Sequence, residues 1–277
     1  MKLAIGDAAA AWSAERWVDV GALRVRFREA GSGPCVVLVH GLGISADYWF
    51  RNGPALAAAG YRVLAPDLPG FGRTRGPEGG LSVTEQAVAL NRWADAMGLE
   101  PSIYVGHSLS CQAVLELAAM VPERVRGLVL AGPSGAPGRH RLVKQAWGLF
   151  LDAWREPWSL FPFVLQAYLR AGPVRFWRTW RAGARHEPFA LLPRVTAPGI
   201  VVVGTRDPVA APAFAEALAA GLPQGRVVWI AGAAHAVLFN RSHAFNRVLL
   251  RFLEELEPPI AQQSPMPAAA AGFRGDP

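Results

Sequence analysis

The sequence is poor in the features that mark several classes of protein. Only two of its 277 residues are cysteine, Cys35 and Cys111, and this fits neither a zinc site nor a disulfide framework. Cys35 lies in a predicted strand and Cys111 in a predicted helix, so we expect both to be small buried hydrophobic residues. Charged residues make up 18% of the chain and hydrophobic residues 52%, a balance that excludes a disordered protein.

Long apolar runs are also missing. No segment reaches the roughly 18 apolar residues that a membrane span requires. The opening stretch MKLAIGDAAAAW is interrupted by Asp7 before a secretory signal could form. We therefore expect a cytoplasmic protein without a transmembrane segment. At this length, one domain carrying an insertion is favoured over two independent domains.

The net charge of +7 is concentrated in one segment. Residues 139–194 hold ten basic residues against three acidic ones, and the rest of the chain is balanced. Such a basic segment is most often a solvated face that aids solubility. The alternative is attraction of an anionic partner: a carboxylate or phosphate substrate, an acyl-CoA, an acidic carrier protein or an anionic membrane. We expect no nucleic-acid partner, because no recognised binding motif accompanies the charge.

Two kinds of strand are predicted. Leu23, Val25 and Phe27 alternate with arginines, which indicates a strand with one wet face, and residues 17–20 are a plausible hairpin partner. Short continuous apolar runs predict strands that are buried on both faces. These runs are residues 35–39, 62–66, 102–105, 127–131, 199–203 and 226–230.

Helical patterns separate these strands. Ser82 and Glu85 form a capping box ahead of a helix that ends at Gly98, and Ser242 is placed to cap the last helix. Alternation of strand and helix predicts an α/β fold with a mostly parallel, helix-covered sheet of about eight strands.

One long segment interrupts the alternation. Residues 139–194 contain five of the ten tryptophans and are too long for a simple connection, so they predict a helical lid insertion. Its aromatic residues are expected to form lid core and pocket wall, which suits an apolar substrate portion. Residues 1–138 and 195–257 then form the core domain, and the Pro/Ala-rich residues 258–277 a disordered tail.

The stretch GHSLS, residues 106–110, lies between a predicted strand and a predicted helix. This is the context of a nucleophile elbow, in which Ser108 sits on a strained turn and projects from the carboxyl edge of the sheet. Open α/β sheets bind ligands at that edge. The motif by itself is weak, because a serine after a strand also commonly caps the next helix.

Five motifs together resemble the α/β-hydrolase superfamily, in particular its lid-bearing serine hydrolases, over residues 17–256. They are HGLG at 40–43, PDLPGFG at 66–72, GHSLS at 106–110, GTRDPV at 204–209 and GAAHAV at 232–237. That group includes esterases, thioesterases, lactonases and carbon–carbon bond hydrolases. The chain departs from the family pattern at Ser110, where glycine is usual.

The resemblance implies a catalytic triad of Ser108, Asp207 and His235, in the chain order that this fold requires. Ser108 would attack, His235 would take its proton, and Asp207 would orient the imidazole ring. Each residue alone also has a plainer interpretation as a helix cap, a turn former or a loop residue.

The resemblance also implies an oxyanion hole and supporting residues. The backbone N–H groups of Leu42 and Leu109 would hold the developing oxyanion. Gly41 and Gly43 would give the HGLG loop its positive-φ freedom, and Gly106 the close packing of the elbow.

The remaining histidines are assigned no catalytic role. His40 and His107 lie beside the predicted site and are expected to support it by packing, whereas His140, His186 and His243 are isolated. No pair of histidines has metal-ligand spacing on a helix, so no metal site is predicted. We expect Asp67 to organise the PDLPGFG loop.

The expected function is that of a serine hydrolase, which cleaves an ester or thioester of a small molecule through an acyl-enzyme and requires no cofactor. A carbon–carbon bond hydrolase of a diketone acid is one alternative, with a lid arginine gripping the carboxylate. A non-catalytic ligand-binding or biosynthetic accessory protein is another. The order of residues does not indicate the substrate or the oligomeric state.

Overall fold

A computed structural model of the chain describes residues 11–12, 14–136, 138 and 141–256. Within these ranges eight strands form one sheet, in the spatial order β1-β2-β4-β3-β5-β6-β7-β8. They are β1 (Arg16–Val20), β2 (Leu23–Ala30), β3 (Cys35–Val39), β4 (Arg62–Pro66), β5 (Ser102–His107), β6 (Val125–Ala131), β7 (Gly199–Gly204) and β8 (Arg226–Ile230). β2 pairs antiparallel with β1 and β4, and the other neighbours are parallel. The predicted α/β fold is confirmed.

Helices connect the strands and cover both faces of the sheet. They are α1 (Gly53–Ala58), α2 (Val83–Ala96), α3 (Ser110–Met120), α4 (Arg141–Ala153), α5 (Phe161–Ala171), α6 (Pro173–Arg185), α7 (Pro212–Gly221), α8 (Val237–Asn240) and α9 (Ser242–Leu256). Short 3₁₀ turns lie at Ala46–Trp49, Pro122–Arg124, Trp158–Leu160, Pro188–Ala190 and Leu192–Arg194.

The central strands are apolar on both faces because helices pack on each side of them. Val37 and Val39 of β3 belong to one hydrophobic core, whereas Val36 and Leu38 belong to the core on the opposite face. Burial of each such side chain contributes about 1.5–3 kcal/mol. The continuous apolar runs of the sequence therefore correspond to strands between two helical layers.

Strand β8 differs from this pattern. Residues 226–230 were expected to be buried on both faces, but β8 is the edge strand of the sheet and Trp229 is 41% exposed. Only Ile230 of this strand is fully buried. The prediction was wrong here because an apolar run does not reveal whether its strand has a neighbour on each side.

Strand β2 was predicted to have a wet face, and this is wrong at Arg26. Its side chain is completely buried, with Nη1 3.2 Å from Asp67 Oδ2 and Nη2 2.5 Å from Asp47 Oδ1. The loop after β4 and the 3₁₀ turn Ala46–Trp49 cover this face. As expected, Asp67 organises its loop, since its carboxylate also accepts hydrogen bonds from the N–H groups of Ala46 and Arg73.

The predicted helix boundaries are largely confirmed. Ser82 and Glu85 form the capping box, with each side chain bonded to the other residue's backbone N–H. Helix α2 is followed by Gly98 at φ +58°. Ser242 is itself the first residue of α9 rather than a residue ahead of it.

Residues between β6 and β7 form a helical segment at the carboxyl edge of the sheet. It contains α4, α5 and α6 and is called the insertion below. A Cβ at Gly183 of α6 would lie 2.0 Å from Leu109 Cδ1, so this helix rests directly on the turn after β5. The tail predicted at residues 258–277 lies outside the described residues. Cys111 is buried as expected, and Cys35 is only half-buried.

Candidate active site

The turn between β5 and α3 has the geometry of the predicted elbow. Ser108 adopts a φ of +55°, a region that residues with a Cβ rarely occupy and that costs about 1–3 kcal/mol. Its backbone N–H donates to the Ala131 carbonyl at 2.9 Å. A Cβ at Gly106 would lie 2.7 Å from the Ser110 carbonyl oxygen, so only glycine allows α3 to start this close to the strand.

Three side chains from three strand ends form one hydrogen-bonded series. Ser108 Oγ lies 3.0 Å from His235 Nε2, and His235 Nδ1 lies 2.9 Å from Asp207 Oδ2. Asp207 follows β7 and His235 follows β8. The other carboxylate oxygen of Asp207 accepts hydrogen bonds from the N–H groups of Val209 and Ala210, which hold the side chain in place. The structure thus brings together the three residues that were predicted to form a triad.

The electrostatics of this series favour a protonated imidazole. Burial by itself lowers the pKa of His235, but the charge and hydrogen bond of Asp207 together with the charges of Asp152 and Glu156 outweigh it and raise that pKa to about 9. Burial opposes ionisation of Asp207, yet His235 and the backbone donors hold the pKa of the carboxyl below its usual value. When it is neutral, an imidazole in this setting readily accepts a proton from a neighbouring hydroxyl.

Two carboxylates of the insertion bind the loop that carries His235. Asp152 Oδ1, in α4, accepts a hydrogen bond from the His235 backbone N–H at 2.9 Å. Glu156 Oε1 accepts one from the Ala236 N–H at 2.7 Å and another from the Asn240 side chain at 2.9 Å. Burial raises the pKa of Asp152, and it raises the pKa of Glu156 to about 7.

The position of these two acids was not predicted from the sequence, where they enter only the charge balance. One signal was available. They are two of the three acidic residues in a strongly basic segment, and they stand four positions apart. That spacing puts two side chains on one face of a helical segment.

The HGLG loop lies beside Ser108. Leu42 and Leu109, whose N–H groups were predicted to form the oxyanion hole, both line the cavity next to it. Gly43 has a φ of +77°, as expected, but Gly41 does not adopt a positive φ. Gly41 is constrained instead by space, because a Cβ there would lie 3.1 Å from His107 Nδ1 and 3.4 Å from Ser108 Cβ.

His40 and Ser110 connect the loops around the elbow. His40 Nδ1 donates to the Gly41 carbonyl at 2.8 Å, and its Nε2 accepts from the Leu68 N–H at 3.0 Å. The Ser110 hydroxyl donates to the His40 carbonyl. The serine that replaces the usual glycine therefore joins α3 to the HGLG loop.

The other histidines differ in their surroundings. His107 Nε2 donates to the His235 carbonyl at 3.2 Å, and burial, with the charge of His235, lowers the pKa of His107 to about 3. His107 is therefore neutral near neutral pH. His186 was expected to be isolated, but its Nε2 lies 2.7 Å from Glu116 Oε2. His243 is exposed, and His140 lies outside the described residues.

A cavity of about 350 Å³ opens above Ser108 and His235. Its walls come largely from the insertion and are mainly apolar, including Leu149, Leu160, Val164, Phe176 and Trp180. None of the described residues that line it is arginine or lysine. Trp158 and Phe161 line the cavity and are also strongly exposed, so they stand at its mouth.

Comparison with known families identifies this architecture. A family model described as alpha/beta hydrolase fold matches residues 34–174. The chain belongs to the α/β-hydrolase fold family. A second family model, described as TAP-like protein, matches residues 165–264 of this α/β-hydrolase.

Two curated relatives and one solved structure illustrate the similarity. The dihydrolipoyllysine-residue acetyltransferase component of the acetoin cleaving system of Cupriavidus necator is 30% identical over 271 residues, which cover 89% of this chain and 70% of that protein. The 2-hydroxy-6-oxo-6-phenylhexa-2,4-dienoate hydrolase of Burkholderia cepacia is 35% identical over 120 residues, 40% of this chain and 41% of that protein. A thermophilic esterase from Thermogutta terrifontis has the same fold, with a TM-score of 0.76, 21% identity, and coverage of 88% of this chain and 99% of the esterase.

The described residues contain neither a candidate membrane span nor a candidate metal site. Across the described ranges, no helix has the length and apolar character needed to cross a bilayer. Among the same residues, no group of three or more His, Cys, Asp or Glu side chains could hold a metal ion.

Proposed function

We propose that this α/β-hydrolase is a serine hydrolase that cleaves an ester or thioester of a partly apolar small molecule. The observation that carries the proposal is the series Ser108–His235–Asp207, with separations of 3.0 and 2.9 Å, at the base of the cavity. A serine hydroxyl needs such a base to become a nucleophile near neutral pH. The proposed chemistry requires no metal or cofactor.

The reaction begins with attack on the substrate carbonyl. Ser108 Oγ bonds to the carbonyl carbon while its proton passes to His235 Nε2, and Asp207 stabilises the imidazolium. His235 then returns this proton to the departing alkoxide or thiolate, which leaves an acyl-enzyme. A water molecule, deprotonated by His235, attacks the acyl group and releases the acid together with free Ser108.

The tetrahedral intermediates carry a negative charge that must be stabilised. We assign this role to the N–H groups of Leu42 and Leu109, which flank Ser108 from two different loops. Loss of one such donor typically costs about 3 kcal/mol in the activation barrier. Leu42 lines the cavity, and the φ of +77° at Gly43 allows a tight turn directly after it.

The insertion, residues 139–194, is proposed to act as a lid over a core formed by residues 1–138 and 195–257. Its apolar side chains line the upper part of the cavity and favour an apolar acyl or alcohol group. Asp152 and Glu156 also reach the lining, close to His235. Their negative charge disfavours a substrate carboxylate at this end of the cavity.

A second candidate is hydrolysis of a carbon–carbon bond in a diketone acid. The identity with the hydrolase of Burkholderia cepacia, 35% over 120 residues, favours it. The cavity counts against it, because its described lining contains no arginine or lysine to bind the carboxylate. The ester or thioester reaction is therefore the primary proposal, and a non-catalytic binding role is the alternative outside enzymology.

Active-site labelling separates these possibilities. A fluorophosphonate probe should form an adduct on wild-type protein at Ser108, and Ser108→Ala should abolish it. Absence of an adduct on folded wild-type protein would favour the binding role. Turnover of p-nitrophenyl esters, acyl thioesters and a vinylogous diketone acid then separates the reactions. We expect esters or thioesters to be cleaved, and selective cleavage of the diketone acid would overturn the primary proposal.

A further inference from the structure

Helix α4 of the insertion has an unusual distribution of polarity. Val143, Trp147 and Phe150 of this helix, and Trp154 directly after its end, follow one another at intervals of four, three and four positions, and all four side chains are more than half exposed. This spacing places them on a single face of the helix. A surface helix normally directs its apolar face toward the protein core.

The opposite face of α4 is the one that packs against the protein. Gln145, Gly148 and Asp152 are its buried residues. Gln145 accepts a hydrogen bond from the Trp180 indole at 2.8 Å, and Asp152 binds the His235 loop. The polar contacts thus point inward and orient the helix, so that its exposed apolar side chains are held toward the solvent.

The exposed apolar surface continues over the neighbouring elements. We define the aromatic face as the large apolar residues of the insertion that are at least 47% exposed: Val143, Trp147, Phe150, Trp154, Trp158, Phe161, Leu165, Leu169, Val174 and Trp177. Trp158 is 83% exposed and Trp154 is 76% exposed. Elsewhere in the described residues, the exposed large apolar side chains are scattered, and none is more than 41% exposed. They are Trp17, Phe50, Met120 and Trp229. A concentration of this kind marks an interaction surface.

Basic residues accompany the aromatic face. Lys144, Arg170, Arg178, Arg181 and Arg185 are all exposed. On α6 the three arginines share one exposed side of the helix with Val174 and Trp177, while Thr179, Gly183 and Ala184 on the other side are buried.

The acidic residues of the insertion lie away from this surface. Asp152 is buried and Glu156 is half-buried, and both bind the loop of His235. The third, Glu187, pairs with Arg141 at 3.2 Å. The outer surface of the insertion is therefore both aromatic and positively charged, with little negative charge to offset it.

We propose that the aromatic face docks on an anionic lipid bilayer. Tryptophan rings partition to the level of the lipid headgroups, and arginines beside them bind lipid phosphates. A bilayer offers negative charge directly above an apolar layer. This matches the arginines and exposed aromatic rings on α4, α5, α6 and the segment between α4 and α5. An acidic protein would match the charge but would leave most of these rings without an apolar partner.

The aromatic face is continuous with the mouth of the cavity. Trp158 and Phe161 belong to the face and also line the cavity. Docking by this face would bring the mouth to the bilayer surface, so that an apolar molecule could pass from lipid to the cavity without crossing bulk water. The docking itself is independent of the reaction proposed above and is tested without a substrate.

Vesicle flotation of the full chain provides the test. We expect at least about tenfold stronger binding to vesicles of phosphatidylcholine with about 30% phosphatidylglycerol than to phosphatidylcholine alone. Raising NaCl from about 0.1 to 0.5 M should weaken that binding, because screening shortens the reach of the arginine charges. Tryptophan emission should shift to shorter wavelength when anionic vesicles are added.

Two double variants test the two components of the surface. Trp147→Ser with Trp154→Ser, and Arg178→Glu with Arg181→Glu, should each weaken binding to the anionic vesicles by about tenfold or more. None of these residues lines the cavity. The matched controls are Trp229→Ser and Arg247→Glu with Arg251→Glu, which change exposed residues on other elements and should bind as wild type does.

Several results would overturn the proposal. These are no binding to the anionic vesicles, equal binding to neutral vesicles, or vesicle binding by both double variants at wild-type strength. Light scattering after gel filtration tests whether a second copy of the chain covers the face. If the wild type is a dimer that does not bind vesicles, and the tryptophan variant is a monomer, the face serves self-association. Circular dichroism of each variant verifies that its fold is retained.

Discussion

The side-chain carboxylate of Asp152 accepts a hydrogen bond from the backbone N–H of His235 at 2.9 Å. The acid belongs to the insertion, and the histidine belongs to the loop after β8. Glu156 binds the next backbone N–H of the same loop, that of Ala236. The insertion therefore supports the position of the imidazole in addition to walling the cavity.

Asp152 is expected to influence the pH dependence of hydrolysis. Its negative charge is one of the causes that raise the pKa of His235, and His235 acts as a base only when it is neutral. Activity is therefore lost as pH falls through this pKa. Asp152→Asn keeps an oxygen acceptor but removes the charge, so the acidic limb of the kcat/KM profile should move to lower pH.

The profile of Asp152→Asn is compared with that of Glu187→Gln. This control neutralises the insertion's exposed acid, which pairs with Arg141 and is not one of the charges that raise the pKa of His235, so the acidic limb should be unchanged. An unmoved limb in Asp152→Asn would show that the carboxylate acts on the loop only as a structural acceptor.

Asp207→Asn should reduce kcat by about 10⁴-fold while binding of substrate persists. The amide cannot stabilise the imidazolium and favours the wrong imidazole tautomer. Steady-state kinetics with an ester substrate measure the loss. Asp19→Asn, on strand β1 and remote from the cavity lining, serves as a control of equal chemistry. A decrease of less than about tenfold would contradict the role assigned to Asp207.

Glu156 should make the protein less stable as pH rises. Burial raises its pKa in the folded state from an ordinary 4.5 to about 7. Its contribution is fully present below pH 4.5 and is lost as pH rises through 7. Glu156→Gln removes this loss, so its free energy of unfolding, relative to wild type, should increase by about 2 kcal/mol between pH 5 and pH 8.

Urea denaturation of both proteins at the two pH values checks this difference. The titration of His235 also lowers stability as pH rises, and it does so less in Glu156→Gln, because Glu156 is one of the charges that raise the pKa of His235. It therefore adds to the expected difference. Parallel pH dependence of wild type and Glu156→Gln would rule out the raised pKa of the buried carboxyl.

Arg26→Met should destabilise the fold by about 3–5 kcal/mol, because it leaves the buried Asp67 carboxylate without its cation. Denaturant unfolding measures the change. Arg24→Met is the matched control: it lies two positions away on the same strand and is exposed, so its effect should remain within about 1 kcal/mol. Similar stabilities of the two variants would argue against a buried ion pair at this site.

Much of the fold could be predicted from local patterns. The run CVVLV became β3 because a strand between two helical layers must be apolar on both faces. The capping box was equally predictable, since its two residues, Ser82 and Glu85, lie three positions apart in the sequence. Ser108, Asp207 and His235 were predicted as a group because the motifs that contain them resemble those of the α/β-hydrolase superfamily. Parallel strands end at one edge of the sheet, where such residues can meet.

Other features depend on which distant segments meet. Arg26 alternates with apolar residues as a solvent-facing arginine would, and its burial is decided by the loop after β4 and the 3₁₀ turn Ala46–Trp49. Asp152 and His235 are separated by 83 positions, and no local pattern relates them. The outward direction of Trp147 on α4 is likewise set by the contacts of Gln145 and Asp152 on the other face of this helix.

The amino-acid order alone determined the strands, their alternation with helices and the chain order of three reactive side chains, because periodic burial and turn chemistry are local properties. The tertiary structure alone decided which charges are buried, which acids hold the His235 loop and which aromatic rings face solvent. These outcomes follow from packing between segments far apart in the chain, and their free energies depend on neighbours that no short window contains.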